Sequence, residues 1–203
     1  MSADFDILIN SVRSRLPSAL DAVVRLELQN VLKDFLNESS SYVDELSISI
    51  VANTTDYPID SYNGVINRLM ALVDASSQPV PCTLVVPTTS TPNYVIRLRS
   101  APSKSDTYTA YVALTPDPNT SPENSVPDWV FSRYREGLEN GVLTRMMLQP
   151  SKPYSNLKLA EYHGHKYRRA ISQARNEALH TFKFRGQGWA YPRSFFSKRN
   201  ARI

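Results

Sequence analysis

The chain has 203 residues, of which 41% are hydrophobic, so it is long enough to bury one sizeable core. No apolar run reaches the roughly 20 residues that a membrane-spanning helix needs, so no membrane partner is expected. The single cysteine, Cys82, excludes an internal disulfide framework and suits a reducing compartment.

The charge is distributed unevenly along the chain. Residues 150–203 contain 12 lysines and arginines but only two acids, whereas residues 1–149 contain 11 bases and 17 acids. The net charge of +4 therefore divides into −6 for the first part and +10 for the second. This asymmetry predicts a folded body with a cationic tail that contacts an acidic partner, either nucleic acid or a carboxylate-rich protein surface.

Two helices are predicted in the N-terminal region. The first covers residues 3–15 and ends near Leu16-Pro17. Ser18 can cap the second, with Asp21 three residues later as its capping-box partner. Apolar residues at spacings of three and four then predict one buried stripe on this helix, formed by Leu20, Val24, Leu28, Val31 and Phe35.

The hydrophobic period changes to two after Asp44. Leu46, Ile48 and Ile50 alternate with serines, which is typical of a half-buried strand. Further strands are expected at residues 57–59, 64–73, 94–99 and 107–114, although residues 64–73 also fit a helix. Prolines between these segments suit edges and loops, and they are Pro79, Pro81, Pro87, Pro92 and Pro102. Residues 44–115 are therefore predicted to form a small antiparallel sheet inserted between helices.

A helix is predicted from Pro127 to Met146, after a loop over residues 115–126. Pro127 suits the first helical position, where a missing N–H has no cost. Gly137 and Gly141 are four residues apart and share one face of this helix. Each glycine costs about 1 kcal/mol relative to alanine inside a helix, so the pair indicates that another backbone approaches closely. The alternative is that the spacing arises by chance.

The last helix is predicted to begin after Ser155 or Asn156, either of which can cap it. Its apolar stripe is rich in alanine, which permits close contact with another helix, and consists of Ala160, His163, Tyr167, Ile171, Ala174 and Ala178. The opposite face is basic and carries Lys158, Lys166, Arg169 and Arg175.

No group of residues in the sequence meets the demands of acid–base or nucleophilic catalysis. Cys82 lies between prolines without a basic neighbour, which favours a packed thiol over a nucleophile. His163 and His165 are two residues apart and point to different sides of a helix, so they make a poor metal pair, and His163 is expected in the core or an interface. We therefore expect a non-enzymatic protein without a cofactor or metal.

Residues 181–203 form a segment in which aromatic and basic residues alternate loosely. These residues are Phe182, Lys183, Phe184, Arg185, Trp189, Tyr191, Arg193, Phe195, Phe196, Lys198, Arg199 and Arg202. The segment is interpreted as a docking arm whose aromatic side chains fill pockets on a protein partner. The alternative is single-stranded nucleic-acid binding through stacking and phosphate contact. The aromatic content argues against a tail that is simply disordered.

The order of these features resembles the head-to-tail adaptor, or connector, proteins of tailed bacteriophages. The similar segments are LPSALDAVVRLELQNVLKDFLNESSSYVDEL at 16–46, TDYPI at 55–59, and PDWVFSRYREGLENGVLTRMMLQPSKPYSNLKLAEYHGHKYRRAISQARNEA at 127–178. The third segment is the strongest, because it contains the joint LQPSKPYSN from Leu148 to Asn156, followed by Leu-Ala and a long helix. Tyr154 stands where the family often has tryptophan, and residues 75–105 match least.

The resemblance and the pattern together imply an α+β fold, mainly α. In it, the N- and C-terminal helices form a bundle with an inserted small antiparallel β-sheet domain and an extended C-terminal arm. The expected parts are residues 1–43 for the first helices, 44–115 for the β region, 116–180 for the last helices and 181–203 for the arm.

The function that the resemblance implies is that of a structural virion protein in the neck, between the capsid portal and the tail, assembled in the host cytoplasm. The implied partners are the portal protein, a tail or nozzle protein, copies of the chain in a ring that usually has twelve members, and double-stranded DNA in the channel. The arm would dock on the portal. The residues expected to serve helix packing or the ring interface are Gly137, Gly141, Ala160, Tyr167 and Ala174. A nucleic-acid-binding module that uses the basic aromatic tail is the alternative from another functional class.

Overall fold

The structure, a computed structural model, describes residues 3–61, 63–89, 92–117 and 126–181. In these ranges the chain forms an α+β fold with antiparallel sheets, which confirms the predicted fold class. The elements are α1 (Ala3–Arg15), α2 (Asp21–Ser39), β1 (Val43–Ile50), β2 (Asp56–Ile59), β3 (Val65–Val73), β4 (Cys82–Val85), β5 (Tyr94–Leu98), β6 (Asp106–Thr115), α3 (Asp128–Arg133), α4 (Arg135–Met147) and α5 (Leu157–Thr181).

The β region contains two three-stranded antiparallel sheets in its described part, rather than the one small sheet predicted. Their strand orders are β1-β6-β3 and β2-β5-β4. Neither sheet is wide enough to cover its own apolar face, and Ile48 of the first and Ile96 of the second belong to the same buried core. The apolar residues of both sheets are therefore stabilised by burial in one core.

The structure assigns one segment of the β region that the sequence left between strand and helix, and it adds one strand that was not predicted. Residues 64–73 form a strand and not a helix, with register shifts between Ile66 and Arg68 and between Leu69 and Ala71. Strand β4 was not predicted, because its sequence lies among prolines. It is nevertheless an edge strand that pairs with β5, which agrees with the expectation that these prolines suit edges.

The start of α2 differs from the prediction. Ser18 is not its cap, because Leu20 occupies the N-cap position and provides no side-chain hydrogen bond. The chain first makes a turn in which the Ala19 N–H donates to the Leu16 carbonyl, and Ala19 is buried in the core. Leu20 is consequently 72% exposed and does not belong to the stripe, whereas the other four predicted stripe residues are fully buried.

The helix predicted from Pro127 to Met146 is divided at Tyr134. Pro127 is the N-cap of α3 rather than its first residue. Tyr134 leaves helical geometry at φ −104° and ψ 17°, and it is both the C-cap of α3 and the N-cap of α4. Its ring lies 5.1 Å from the ring of Phe35, and it is half-buried. This aromatic contact joins residues that are far apart in the sequence. The helical period of residues 127–146 therefore does not reveal the bend.

One continuous apolar core joins the helices and the sheets. Helices α2 and α4 contact each other at its centre, α1 packs on α2, α3 and α4, and α5 packs on α4 and α2. The predicted stripe of α5 faces this core, with all its members buried except the half-buried Tyr167. None of the helices in the described ranges is both long enough and apolar enough to cross a membrane.

The cap of α5 provides a test of the local structure. The Asn156 side-chain oxygen accepts a hydrogen bond from the Leu159 N–H at 3.1 Å. We expect Asn156→Ala to lower the free energy of unfolding by about 1 kcal/mol, because a helix N–H loses its partner. Ser155→Ala is the matched control, since it removes the other candidate cap. Urea unfolding measures both variants, and an equal loss in the two would contradict the assignment.

Candidate functional site: the contact of α2, α4 and α5

The two glycines of α4 lie where three helices meet. A Cβ atom added to Gly141 would be 2.5 Å from Val31 Cγ1 of α2 and 2.8 Å from Tyr167 Cε2 of α5. A Cβ atom added to Gly137 would be 2.8 Å from the Cβ of Ala170 on α5. These distances are shorter than ordinary van der Waals contact, so only glycine allows the observed approach.

Tyr167 reaches across this contact from α5 to α2. Its hydroxyl donates to the Val31 carbonyl at 3.3 Å, and its ring covers Gly141. Burial raises the pKa of Tyr167, and the negative charges of Asp34 and Glu38 raise it further. The phenol therefore stays protonated at neutral pH and remains a hydrogen-bond donor.

The five residues predicted for helix packing or the ring interface all contact the interior of one chain. Ala160 and Ala174 are about 1% exposed on the inner face of α5, and the two glycines and Tyr167 form the contact described above. Their role in the packing of a single subunit is visible in the structure. A role in contacts between subunits remains a prediction.

A buried polar pair holds α4 and α5 in register. His163 Nδ1 lies 2.7 Å from Asn140 Oδ1, and both residues are buried. The Asn140 amide nitrogen donates to the Glu136 carbonyl at 2.6 Å, so its oxygen accepts from a protonated Nδ1 of a neutral imidazole. Burial lowers the pKa of His163, and the positive charges of Arg15 and Lys166 lower it further. This agrees with the expectation of a core histidine.

Two arginines attach the C-terminal helices to α2, and the sequence analysis did not assign them this role. Arg145 forms ion pairs with Asp34 and Glu27. Arg175 Nε and Nη2 donate to the Glu38 carbonyl at 2.9 and 2.6 Å, in the last turn of α2. A cation at this position also interacts favourably with the helix dipole. Sequence periodicity placed Arg175 on an exposed face, where it does lie, but could not indicate its long-range partner.

The joint between α4 and α5 is held by its own polar groups. The Asn156 N–H donates to the Met147 carbonyl at 3.0 Å, and the Ser155 N–H donates to the Lys152 carbonyl at 3.0 Å. The Tyr154 hydroxyl donates to Gln149 Oε1 at 3.1 Å. Helices α4 and α5 therefore form an antiparallel hairpin whose loop has a defined geometry.

Large apolar side chains surround this joint and are exposed. We name them the joint surface, and its members are 44–64% exposed: Leu148, Leu157, Leu159 and Tyr162. Single exposed apolar residues are common. Leu157 and Leu159 are two residues apart and lie on different sides of α5, so the four side chains surround the loop rather than form one continuous patch.

A groove of about 380 Å³ lies between α4 and α5. Gly137 and Ala174 are among its lining residues. Its rim is charged and is already paired in part, because Arg133 binds Glu177 at 2.9 Å and Lys166 lies 3.7 Å from Glu136. The groove is open to solvent along the helices.

Cys82 is half-buried in β4, and burial raises the pKa of its thiol, which disfavours the thiolate. His163 is in the core, whereas His165 is exposed. Across residues 3–61, 63–89, 92–117 and 126–181, no group of three or more histidines, cysteines and acids could hold a metal ion.

The twelve residues predicted for the docking arm, from Phe182 to Arg202, lie outside the described residues. Their assignment stays a prediction from the sequence.

Comparison with models of known protein families and a search of curated proteins find no match to this chain.

The close approach at Gly141 predicts an unusual response to alanine. We expect Gly141→Ala to lower the free energy of unfolding by about 1–3 kcal/mol, because the added methyl group overlaps Val31 and Tyr167. The gain in helix propensity, about 1 kcal/mol, would act in the opposite direction. Gly164→Ala is the control, since its Cβ would lie 3.5 Å from the nearest atom, Thr144 Cγ2. Urea unfolding should show Gly164→Ala unchanged or stabilised, and equal stabilisation of both variants would contradict the packing.

The buried imidazole predicts a pH-dependent stability. The pKa of His163 is lower in the folded chain than its unfolded value of about 6.5, so the folded chain binds fewer protons. The contribution of the neutral His163 imidazole to the free energy of unfolding is therefore complete above its unfolded pKa. This contribution is lost as the pH falls towards the folded pKa. We expect His163→Gln to reduce the loss of unfolding free energy between pH 7.5 and 5.5, while His165→Gln, at an exposed site, leaves it unchanged. An equal effect of both substitutions would contradict this assignment.

Proposed function

We propose that this chain is a non-enzymatic adaptor of the tailed-phage neck, which forms a ring below the portal and joins the capsid to the tail. The observation that carries the proposal is the joint surface. The joint inside that surface, Leu148 to Asn156, is also where the resemblance to the adaptor family is strongest. The same short segment therefore combines the family pattern with exposed apolar side chains.

The location of the joint surface supports contact with another protein subunit. Its leucines flank a loop in which several polar groups are bonded within the chain, such as the Tyr154 hydroxyl to Gln149 and the Asn156 N–H to Met147. The bonded groups need no ligand, so the exposed leucines are the groups that gain most from being covered. Burying such side chains against another protein removes apolar surface from water, which favours association.

The close packing of α2, α4 and α5 supports a rigid building block. A ring closes only when every copy presents the same geometry to its neighbour through two different surfaces. Gly141 fixes the distance between the helices, and Arg175 fixes the end of α2 against α5. A subunit held in this way keeps the joint surface in a constant position, as a closed ring requires.

The proposed partners are the portal protein, a tail or nozzle protein, further copies of this chain and double-stranded DNA in the channel. The arm predicted at 181–203 is proposed to dock on the portal, where its aromatic residues would act as anchors. Any contact with DNA would use phosphate charge without reading the sequence. The virion neck is the proposed location, after assembly in the host cytoplasm.

Nucleic-acid binding is the second candidate, and the exposed face of α5 favours it. This face carries the cations Lys158, Lys166, Arg168, Arg169 and Arg175, all exposed. Together with the basic tail they would attract phosphates. The two candidates differ in salt dependence, since affinity for nucleic acid would fall steeply as salt is raised.

The joint surface provides the test of the adaptor proposal. The full-length chain is mixed with the portal ring of the same virus, and co-sedimentation and electron microscopy report the assembly. We expect Leu157→Ser to reduce incorporation about fivefold to thirtyfold without changing the melting temperature, because loss of one interface anchor costs about 1–2 kcal/mol. Val86→Ser, at an exposed site of the β region, is the control. A chain that ignores the portal but binds oligonucleotides tightly at physiological salt would refute the adaptor and favour the second candidate.

A further inference from the structure

Strand β1 lies at the edge of its sheet, and its outer edge forms no backbone hydrogen bond with another element in the described ranges. It pairs with β6 through eight consecutive residues without a register shift. Its other main contact is with β2. Among the described residues, the backbone hydrogen bonds outside regular elements include none from residues 43–50.

The hydrogen-bonding pattern shows which backbone groups face this edge. The Leu114 N–H donates to the Tyr42 carbonyl at 2.8 Å, one residue before β1 begins. Bonded pairs recur at every second residue of an antiparallel ladder, so the even-numbered residues of β1 bond to β6. The odd-numbered residues direct their N–H and C=O groups outwards, and these are Val43, Glu45, Ser47 and Ser49. In agreement, the Glu45 N–H donates to the Asp44 carboxylate oxygen Oδ1 at 3.0 Å and not to a carbonyl of β6.

The other sheet edges carry features that hinder strand addition. Strand β3 has two register shifts, and the Val80 N–H donates to its Leu72 carbonyl at 2.8 Å. Strand β2 contains Pro58, which lacks an N–H, and β4 lies between Pro81 and Pro87. Strand β1 has no proline, lysine or bulge. A long regular edge of this kind is a template for another strand.

The charges along β1 select the kind of strand that would bind. Glu45 is exposed and forms no ion pair with a described residue. Asp44 precedes it, and Asp106 lies opposite Ile50 at the other end. A strand with a basic residue facing Glu45 would neutralise its charge, whereas a strand with an acidic residue there would add a like charge. Opposite charges on facing strands stabilise a sheet, and like charges destabilise it.

We propose that the outer edge of β1 accepts an extended segment of another polypeptide as an additional strand, and that this segment carries lysine or arginine opposite Glu45. The small exposed side chains of Ser47 and Ser49 leave room for it. The outward backbone groups of β1 would supply the affinity for the added strand, and the Glu45 carboxylate would supply the preference for a basic residue. This inference does not depend on the adaptor role.

The test uses the full-length chain and a nine-residue peptide with capped termini. Threonine occupies every second position of the peptide, and lysine and valine occupy the positions between. Residue-resolved amide exchange is measured by NMR with and without the peptide. We expect saturating peptide to slow the exchange of the Ser47 and Ser49 amides at least about tenfold, because each gains a hydrogen-bonded partner. The amides of Leu46 and Ile48, which already bond to β6, should not change.

Matched variants separate strand addition from adsorption by charge. Ser47→Pro should abolish the effect, since it removes an outward N–H and no bond to β6, while Ser47→Thr should retain it. A peptide with glutamate in place of lysine should fail to protect Ser47 and Ser49. A peptide with N-methyl groups on alternate amides should also fail. The N-methylated peptide keeps the test valid if the Ser47→Pro variant does not fold.

Three outcomes would overturn the proposal. The first is unchanged exchange at Ser47 and Ser49 with millimolar peptide. The second is equal protection by the N-methylated peptide. The third is protection in the free chain that grows with protein concentration, which would assign the edge to a second copy.

Discussion

The contact between Gly141, Val31 and Tyr167 determines how the rest of the helical part is arranged. Any side chain on α4 at this position would overlap α2 or α5, so the glycine sets the distance between three helices. Helix packing normally leaves 8–10 Å between axes, and small residues permit the short end of this range. The energetic cost of glycine in a helix is offset by the apolar area that the close contact buries.

Close packing alone does not fix the register of helices, because alanine-rich surfaces can slide past one another. Buried polar groups restrict this freedom. His163 finds its acceptor only when Asn140 lies beside it, and the Tyr167 hydroxyl finds one only at the Val31 carbonyl. A shift of α5 by one turn would leave these groups buried without partners, at a cost of about 1–3 kcal/mol each. Arg175 at the end of α2 adds a third constraint.

The sequence predicted what depends on local periodicity and not what depends on distant neighbours. The stripe of α5, the start of that helix after Asn156 and most strands follow from spacing and capping, and the structure confirms them. The bend at Tyr134 coincides with an aromatic contact with Phe35 of α2. Strand β4 forms by pairing with β5. The two glycines indicated a close approach, but their partners, Val31 and Ala170, lie 110 and 33 positions away from Gly141 and Gly137. Spacing cannot identify such partners.

The two surfaces that we propose as binding surfaces differ in the physical interaction that they offer. The joint surface presents exposed apolar side chains, so a partner there would gain affinity from burial, which suits a permanent contact. The edge of β1 presents unpaired backbone groups beside Glu45, so it gains affinity from hydrogen bonds and charge. A backbone edge accepts many sequences of the right charge, whereas an apolar surface demands a matching shape. The helical hairpin is therefore the better candidate for contacts repeated identically in every copy, and the sheet edge is better suited to an extended segment of a different chain.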